Sequence, residues 1–161
     1  MIELFIENLH TNQCKWFELP ISWNEVKKRI NLNDHHDFLI SDYIAPFTIT
    51  HFNEFRTMNE LAEMMNEYSN HPSVKYIGEL VEYGFFTTYN EAFEHIDNII
   101  VHDDCFSFKD YAVKLIDELG YLNGVPDLIK WNIDYDGIGR DLKNDSNLYQ
   151  AYDSIIIDIA S

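Results

Sequence analysis

The chain has 161 residues, 46% of them hydrophobic and 15% aromatic, which is enough apolar material for a folded core and excludes a disordered acidic tail. It carries 28 acidic residues against 11 Lys and Arg, a formal net charge of −17, although a charge of about 2–8 keeps a small domain soluble. This balance argues against direct nucleic acid binding, which needs a basic footprint, and favours a positively charged partner.

The first 56 residues are predicted to form a β-rich module. Apolar and polar residues alternate from Ile2 onward, as in a half-buried strand, and Ser22 with Glu25 has the spacing of a capping box at a helix start. The predicted elements, in chain order, are strands over 2–9 and 14–19, a helix over 23–30 and a strand over 37–44.

Residues 57–98 are predicted to form a thin, helical middle module. Thr57 is the expected cap of its first helix, and Gly84 is expected to end its second. The predicted helices run over 57–68, 74–83 and 88–98. Three short helices cannot enclose a large core, so this part of the chain should be thin.

Residues 99–161 are predicted to form a mixed α/β module. Ser107 is the expected cap of a helix that Gly120 ends. The predicted elements are a strand over 99–101, helices over 108–119 and 134–142, and a strand over 154–159. No Gly/Ser-rich linker separates the parts. The predicted fold class is therefore α+β, an elongated chain of three small modules that comprise residues 1–56, 57–98 and 99–161.

The middle of the chain is its most acidic part. Residues 54–104 contain 11 acidic and 2 basic residues, and the stretch 76–108 contains no Lys or Arg. Carboxylates recur there at helical spacing, as in Glu60, Glu63 and Glu67, where neighbouring like charges repel one another. A folded chain that accepts this repulsion repeatedly is predicted to use the charge for binding.

These carboxylates predict a mimic of DNA. Duplex DNA carries one negative charge per about 1.7 Å of its axis, and the Lys and Arg residues of a DNA-binding groove pair with its phosphates. A row of carboxylates can occupy the same groove, whereas a merely solvated helix face is the simpler alternative. The side chains predicted to replace phosphates are Glu60, Glu63, Glu67, Glu79, Glu82, Glu91, Glu94, Asp97, Asp103 and Asp104.

Two short segments contain the residue types of a metal site. They are His102-Asp103-Asp104-Cys105 and His35-His36-Asp37, but adjacent residues of a strand point to opposite faces, so few of these side chains can converge on one ion. Cys105 with His102 suggests a nucleophile, but nothing indicates the third, orienting group that such a pair needs. We therefore predict no metal, no cofactor and no catalytic residue.

The two cysteines, Cys14 and Cys105, are too few for a disulfide framework. No apolar run approaches the roughly 20 residues that span a bilayer, and the first residues do not resemble a signal peptide. The expectation is a cytoplasmic protein with reduced thiols and no membrane partner.

Several segments of the chain resemble the ArdA family of antirestriction proteins. The hairpin over 2–20, the segment 41–47 and the helix start at Met58-Asn59-Glu60-Leu61 are similar to segments of that family. The sharpest similarity is Asp134-Tyr135-Asp136-Gly137-Ile138-Gly139-Arg140-Asp141-Leu142, close to the family signature D-Y-E-x-x-G-R-D-L. The resemblance extends over nearly the whole chain.

This resemblance implies a curved, elongated monomer of three modules that dimerises end to end and resembles bent B-form DNA. The implied partner is the methyltransferase core of a host type I restriction-modification enzyme, bound without catalysis or cofactor. An intramolecular carboxylate partner such as Asp136 or Asp141 is expected for Arg140. The signature residues implied to support the fold or the dimer contact are Asp134, Tyr135, Asp136, Gly139, Arg140 and Asp141.

Two other functions fit the sequence less well. A metal-dependent hydrolase would use some of the Asp and Glu groups, and would need a stoichiometric site near His102. An acidic interaction module would bind another basic DNA-binding protein. The first is distinguished from the mimic by metal titration and the second by recovery of the partner.

Overall fold

A computed structural model describes residues 1–145 and 147–160 as an α+β protein, which confirms that part of the predicted fold class. The chain divides into two compact units, residues 1–94 and residues 95–161. Most of the predicted middle module lies in the first unit, and its division from residues 1–56 stays a prediction.

The elements are short strands and mostly short helices. The strands are β1 (Ile2–Asn8), β2 (Cys14–Leu19), β3 (Phe38–Ile44), β4 (Ile99–His102), β5 (Leu148–Gln150) and β6 (Ile156–Ile159). The helices are α1 (Trp23–Arg29), α2 (Phe55–Glu67), α3 (Ile77–Glu82), α4 (Tyr89–Glu94), α5 (Phe108–Glu118), α6 (Asp127–Lys130) and α7 (Tyr135–Leu142). Two single 3₁₀ turns, Val74–Tyr76 and Ile96–Asn98, precede α3 and β4.

The first unit contains an antiparallel sheet with strand order β2-β1-β3. The predicted hairpin is present and pairs Ile2 with Leu19 and Glu7 with Cys14. Ile2, Leu4 and Ile6 are buried on one face, while the residues between them are half-buried on the other. One face of the sheet therefore forms a core and the other remains accessible to solvent.

Asn8 joins this hairpin to the end of α1. Its side chain is fully buried and donates hydrogen bonds to the carbonyl oxygens of Ile30 and Asn31, each over 3.1 Å. The side-chain oxygen Oδ1 of Asn8 accepts hydrogen bonds from the backbone N–H of His10 at 2.9 Å and of Thr11 at 3.3 Å. A buried polar side chain with all its groups paired fixes one arrangement of the elements around it.

Helix α2 begins earlier than predicted. Its N-cap is Glu54, which makes no side-chain capping bond, so the prediction that Thr57 caps the helix is wrong. The ring of Phe55 instead packs against that of Trp23, with centroids 4.8 Å apart. Packing between elements distant in the sequence has extended the helix beyond the end that local capping favours.

The predicted second helix of the middle segment is divided into the 3₁₀ turn Val74–Tyr76 and α3. Gly84 follows with a φ of +79°, a left-handed conformation that suits glycine at a helix end. Gly78 lies in α3 directly against the side chain of Phe47, and a Cβ atom there would collide with it. The segment before α2 and the helix α3 thus approach each other closely through a glycine.

The second unit packs α5 and α7 with a sheet of strand order β4-β6-β5. Its core includes Cys105, Tyr111, Leu148 and Ile156, all buried. As predicted, Ser107 caps α5 by accepting a hydrogen bond from the backbone N–H of Asp110 at 3.1 Å. Two elements were not predicted, the four-residue α6 and the three-residue β5.

The last strand begins later than predicted. Ser154 has a φ of +72°, which is incompatible with a strand, and β6 starts two residues further on. Across the residues that the structure describes, no helix combines the length and the apolar character needed to cross a membrane.

Candidate partner-binding surface

Helix α2 separates its apolar and acidic side chains onto opposite faces. Met58, Leu61 and Met65 are buried. At about 100° per residue, Glu60, Glu63 and Glu67 fall within an arc of about 60° on the side opposite to these buried residues. The helix fold thus groups three predicted carboxylates on one outward face, where Glu63 and Glu67 are exposed and Glu60 is half-buried.

Two of these carboxylates have partners within the helix. Arg56 pairs with Glu60 at 2.8 Å, and this hydrogen bond raises the pKa of the Arg56 guanidinium. The side-chain amide of Asn59 donates to Glu63 at 3.3 Å, which leaves the charge of that carboxylate in place. Arg56 therefore neutralises one charge of the face, and Glu63 and Glu67 keep theirs.

The carboxylates of α3 and α4 differ in their surroundings. Glu82 and Glu94 are exposed at the ends of their helices, whereas Glu79 and Glu91 are half-buried. Glu91 accepts a hydrogen bond from the backbone N–H of Thr87 at 2.7 Å, while its own N–H donates to the Thr88 hydroxyl at 3.1 Å. Glu91 therefore forms part of the N-terminal cap of α4, a structural role that the prediction did not include.

The remaining three predicted carboxylates lie in the second unit. Asp97 is in the 3₁₀ turn before β4, and Asp103 and Asp104 are in the turn that follows it; all three are exposed. Lys114 pairs with Asp104 at 2.7 Å, and this hydrogen bond lowers the pKa of the Asp104 carboxyl. Asp104 is thus charged but locally balanced.

The accessible face of the first sheet carries further carboxylates that sequence reasoning missed. Glu3 on β1 lies directly opposite Glu18 on β2, and like charges in this position repel. Asp42 on β3 lies opposite Phe5 on β1. The predicted hairpin contained part of the signal for Glu3 and Glu18, since its observed register, which pairs Ile2 with Leu19, places them side by side.

The residues of the C-terminal signature contact other parts of the same unit. Asp134 caps α7 by accepting from the backbone N–H of Gly137 at 2.8 Å, and Asp136 pairs with Lys109 of α5 at 2.8 Å. Arg140 has an intramolecular carboxylate partner, as expected, but instead of one of the two examples, Asp136 and Asp141, this partner is Asp134, 3.7 Å away. This pair is exposed and contributes little to the free energy of unfolding.

Gly139 provides the closest contact of the signature. A Cβ atom at this position would lie 2.9 Å from the backbone N of Lys109 and 2.9 Å from the carbonyl carbon of Phe108. Both atoms belong to the start of α5, where the backbone cannot move aside. The glycine is therefore what allows α7 to lie against α5.

The two segments that suggested metal binding, 35–37 and 102–105, form no cluster of metal ligands among the described residues. Among residues 1–145 and 147–160, no group of three or more His, Cys, Asp or Glu side chains is placed to hold a metal ion. His36 has Asn8 at 3.2 Å from Nδ1 and Asn33 at 3.0 Å from Nε2, so both ring nitrogens have neighbours within the protein. Burial lowers the pKa of His102, whose ring packs against Tyr111 with centroids 4.8 Å apart.

Cys105 lies in an environment opposite to that of a catalytic thiol. It is 1% exposed, and burial raises its pKa to about 11. A nucleophilic cysteine needs a lowered pKa so that the thiolate is present near neutral pH. Cys105 is held as a protonated thiol and serves the core of the second unit.

The two thiols are expected to react at very different rates. At pH 8, iodoacetamide should alkylate the exposed Cys14 rapidly, whereas Cys105, with about one thiolate in a thousand molecules at that pH, should stay unmodified until the pH approaches 11 or the protein unfolds. Peptide mass spectrometry measures both sites in one sample. Equal rates for the two thiols in the folded protein would contradict the burial of Cys105.

These observations define the class of the molecule: an acidic α+β protein whose carboxylates lie mainly at the surface, on helices and on one face of a sheet. The protein-family model described as "Antirestriction protein (ArdA)" matches residues 11–156. The chain belongs to the ArdA family of antirestriction proteins, which confirms the predicted resemblance. No curated protein matches the chain. Membership of this non-catalytic family implies an antirestriction function directed against restriction enzymes.

Proposed function

We propose that this protein inhibits type I restriction-modification enzymes by mimicking B-form DNA and occupying the DNA-binding groove of their methyltransferase core. The carboxylates on α2, α3 and α4 and in the turns before and after β4 replace DNA phosphates in this proposal. The protein acts in the cytoplasm as a homodimer and binds no nucleic acid itself. It changes no bond and needs no cofactor, because occupying the groove is sufficient to exclude DNA.

The outward face of α2 carries this proposal. With a rise of about 1.5 Å per residue, Glu60 to Glu67 spans about 10.5 Å and places one carboxylate per about 5 Å of helix axis. One strand of DNA has a phosphate every 3.4 Å or so along its axis. The carboxylates on this face are thus about one and a half times as far apart as the phosphates of one strand. Because Arg56 pairs with Glu60, the uncompensated charges are those of Glu63 and Glu67, and the buried residues on the opposite face hold their orientation.

Several of the proposed carboxylates are directly accessible to a partner. Glu67, Glu82, Glu94 and Asp103 are exposed, so a cationic groove can reach them without unfolding any element. Each such contact contributes about 1 kcal/mol or less. Affinity in this mechanism therefore comes from many weak contacts, and no single carboxylate is essential.

The dependence of binding on salt tests the proposal. Binding of the wild-type protein to a purified type I methyltransferase core is expected to weaken at least about tenfold when NaCl is raised from about 50 to about 200 mM. The reason is that carboxylates displace salt counterions from the cationic groove, and added salt opposes this displacement. Calorimetry at several salt concentrations gives the slope. A duplex DNA oligonucleotide containing the recognition site should compete for the same surface.

Two results would argue against mimicry. Binding that does not change with salt would mean that apolar contacts dominate, and simultaneous binding of DNA and this protein would mean that it occupies another surface. If the methyltransferase core does not bind at all but another basic DNA-binding protein is recovered from cells, the alternative of an acidic interaction module is favoured.

A further inference from the structure

A groove in the first unit combines aromatic rings with carboxylates. It has a volume of about 670 Å³ and lies between the start of α1, the start of β3 and the first turns of α2. Its apolar wall is formed by Trp23, Phe38 and Phe55. Its rim carries Glu60 and Glu63.

The three rings form a continuous aromatic surface. Trp23 lies between the other two, with its ring centroid 4.8 Å from that of Phe38 and 4.8 Å from that of Phe55. The ring planes of Phe38 and Phe55 are tilted by 53° and 49° relative to that of Trp23, so neither ring stacks flat on it. Phe38 remains 39% exposed, although burial of this ring would stabilise the fold.

Asn59 braces the acidic rim. Its carbonyl oxygen accepts a hydrogen bond from the backbone N–H of Ile21 at 2.8 Å, which ties α2 to the segment before α1. Its amide donates to the Glu63 carboxylate at 3.3 Å, which holds that group at the groove. The rim is thus fixed by the same residue that joins the two walls.

The lining of the groove has a net negative charge, although it includes the cationic side chain of Arg56. Glu54, Glu60 and Glu63 line the groove together with Arg56, which pairs with Glu60 at 2.8 Å and is 86% exposed on its side chain. Aromatic faces attract a cation through their quadrupole, and a planar guanidinium can stack on a ring while its N–H groups bind a carboxylate. A guanidinium can therefore use both features of this lining at once.

We infer that this groove receives an arginine side chain of the protein partner, with the guanidinium against Trp23 and in contact with the Glu63 carboxylate. The inference rests on the proposed function, because a DNA-binding groove supplies exposed arginines. It adds a discrete anchoring site to a surface of distributed charge. DNA has no equivalent of this aromatic wall, so the site would let the protein contact its partner in a way that DNA does not.

The test uses a minimal probe on the full-length protein. The indole N–H resonances of Trp16, Trp23 and Trp131 provide three internal reporters in one NMR spectrum. N-acetyl-arginine amide should shift the Trp23 resonance saturably while leaving Trp16 and the highly exposed Trp131 nearly unchanged. N-acetyl-citrulline amide, which has almost the same shape without the charge, should produce no saturable shift.

Two carboxylate variants form a matched pair. Glu63 lines the groove, whereas Glu67 lies one turn further along the same face of α2 and does not. Glu63→Gln should weaken binding of the arginine amide about threefold, and Glu67→Gln, with the same change of net charge, should leave it nearly unchanged. Trp23→Leu should weaken binding of the arginine amide about tenfold. Because this variant lacks the indole reporter, its binding is measured from the NMR shift of the Asn59 backbone amide.

The inference is overturned if citrulline amide binds as well as arginine amide, or if Glu63→Gln and Glu67→Gln have equal effects. Either result leaves the salt-dependent binding of the methyltransferase core untouched, so the proposed function can stand without the groove. Conversely, the protein could bind arginine amide in the groove and show no affinity for the methyltransferase core. That pair of results would refute the proposed function alone.

Discussion

Replacing Glu67, Glu82 and Glu94 together by Gln is expected to weaken binding to a type I methyltransferase core by about 30-fold. All three side chains are exposed and lie outside the aromatic groove. If each contributes about 0.7 kcal/mol as an exposed charge contact, their joint loss is roughly 2 kcal/mol, and each single change should cost only a few-fold. Calorimetry of the single and triple variants measures whether the losses add.

The fold should survive this triple substitution. Gln keeps the size and helix propensity of Glu, and removing like charges from neighbouring turns relieves repulsion. The slope of log affinity against log salt should fall by up to about 0.9 for each carboxylate removed. Circular dichroism and thermal melting of the variant verify that only the surface has changed.

A second triple variant separates local charge from total charge. Asp37→Asn, Asp117→Asn and Glu118→Gln also remove three exposed carboxylates, but these are outside the set proposed to replace phosphates. We expect this variant to lose less than about threefold, through long-range attraction alone. Equal losses in the two triple variants would mean that net charge, rather than the arrangement of the carboxylates, determines binding. A single substitution that abolished inhibition without unfolding the protein would exclude distributed charge altogether.

The sequence predicts most elements of this fold because their signals are local. The hairpin of β1 and β2 follows from alternation and from a short polar turn, and Ser107 marks the start of α5 with a capping side chain. The signature segment likewise begins with a capping aspartate, Asp134. In each case a few neighbouring residues contain both the sequence pattern and the hydrogen bonds that form the element.

Helix α2 and strand β5 were mispredicted because they depend on contacts outside their own segments. Helix α2 begins at Phe55 because that ring meets Trp23, which lies 32 positions earlier in the chain. Strand β5 has only three residues and exists because it pairs with β6, where Leu148 lies opposite Asp158. Neither contact can be read from periodicity within one segment.

Part of the acidic surface could be predicted, because its signals lie within single helices. The outward arc of Glu60, Glu63 and Glu67 follows from helical spacing alone. Thr88 and Glu91 also have the spacing of a capping box, so the structural role of Glu91 could have been recognised. The aromatic groove could not, because its three rings come from α1, β3 and α2 and are brought together only by the fold.

Replacing Gly139 by Ala is expected to destabilise the second unit by about 2 kcal/mol. A methyl group here meets the backbone of Phe108 and Lys109, so α7 must move away from α5, and the cost of overpacking exceeds the gain of about 1 kcal/mol in helix propensity. For a unit of this size the melting temperature should fall by roughly 10 °C. Thermal unfolding followed by near-ultraviolet circular dichroism measures it.

Gly137 offers the matched control within the same helix. The nearest atoms to a methyl group at Gly137 would be those of the Asp134 carboxylate, which can rotate away, so Gly137→Ala loses part of one cap and gains helix propensity. We expect the two effects nearly to cancel. If Gly139→Ala and Gly137→Ala have the same stability, the close approach of α7 to α5 is not what the signature glycine provides. If Gly139→Ala alone unfolds the unit more easily and antirestriction is lost only above its melting temperature, the glycine acts through the fold and not through contact with the restriction enzyme.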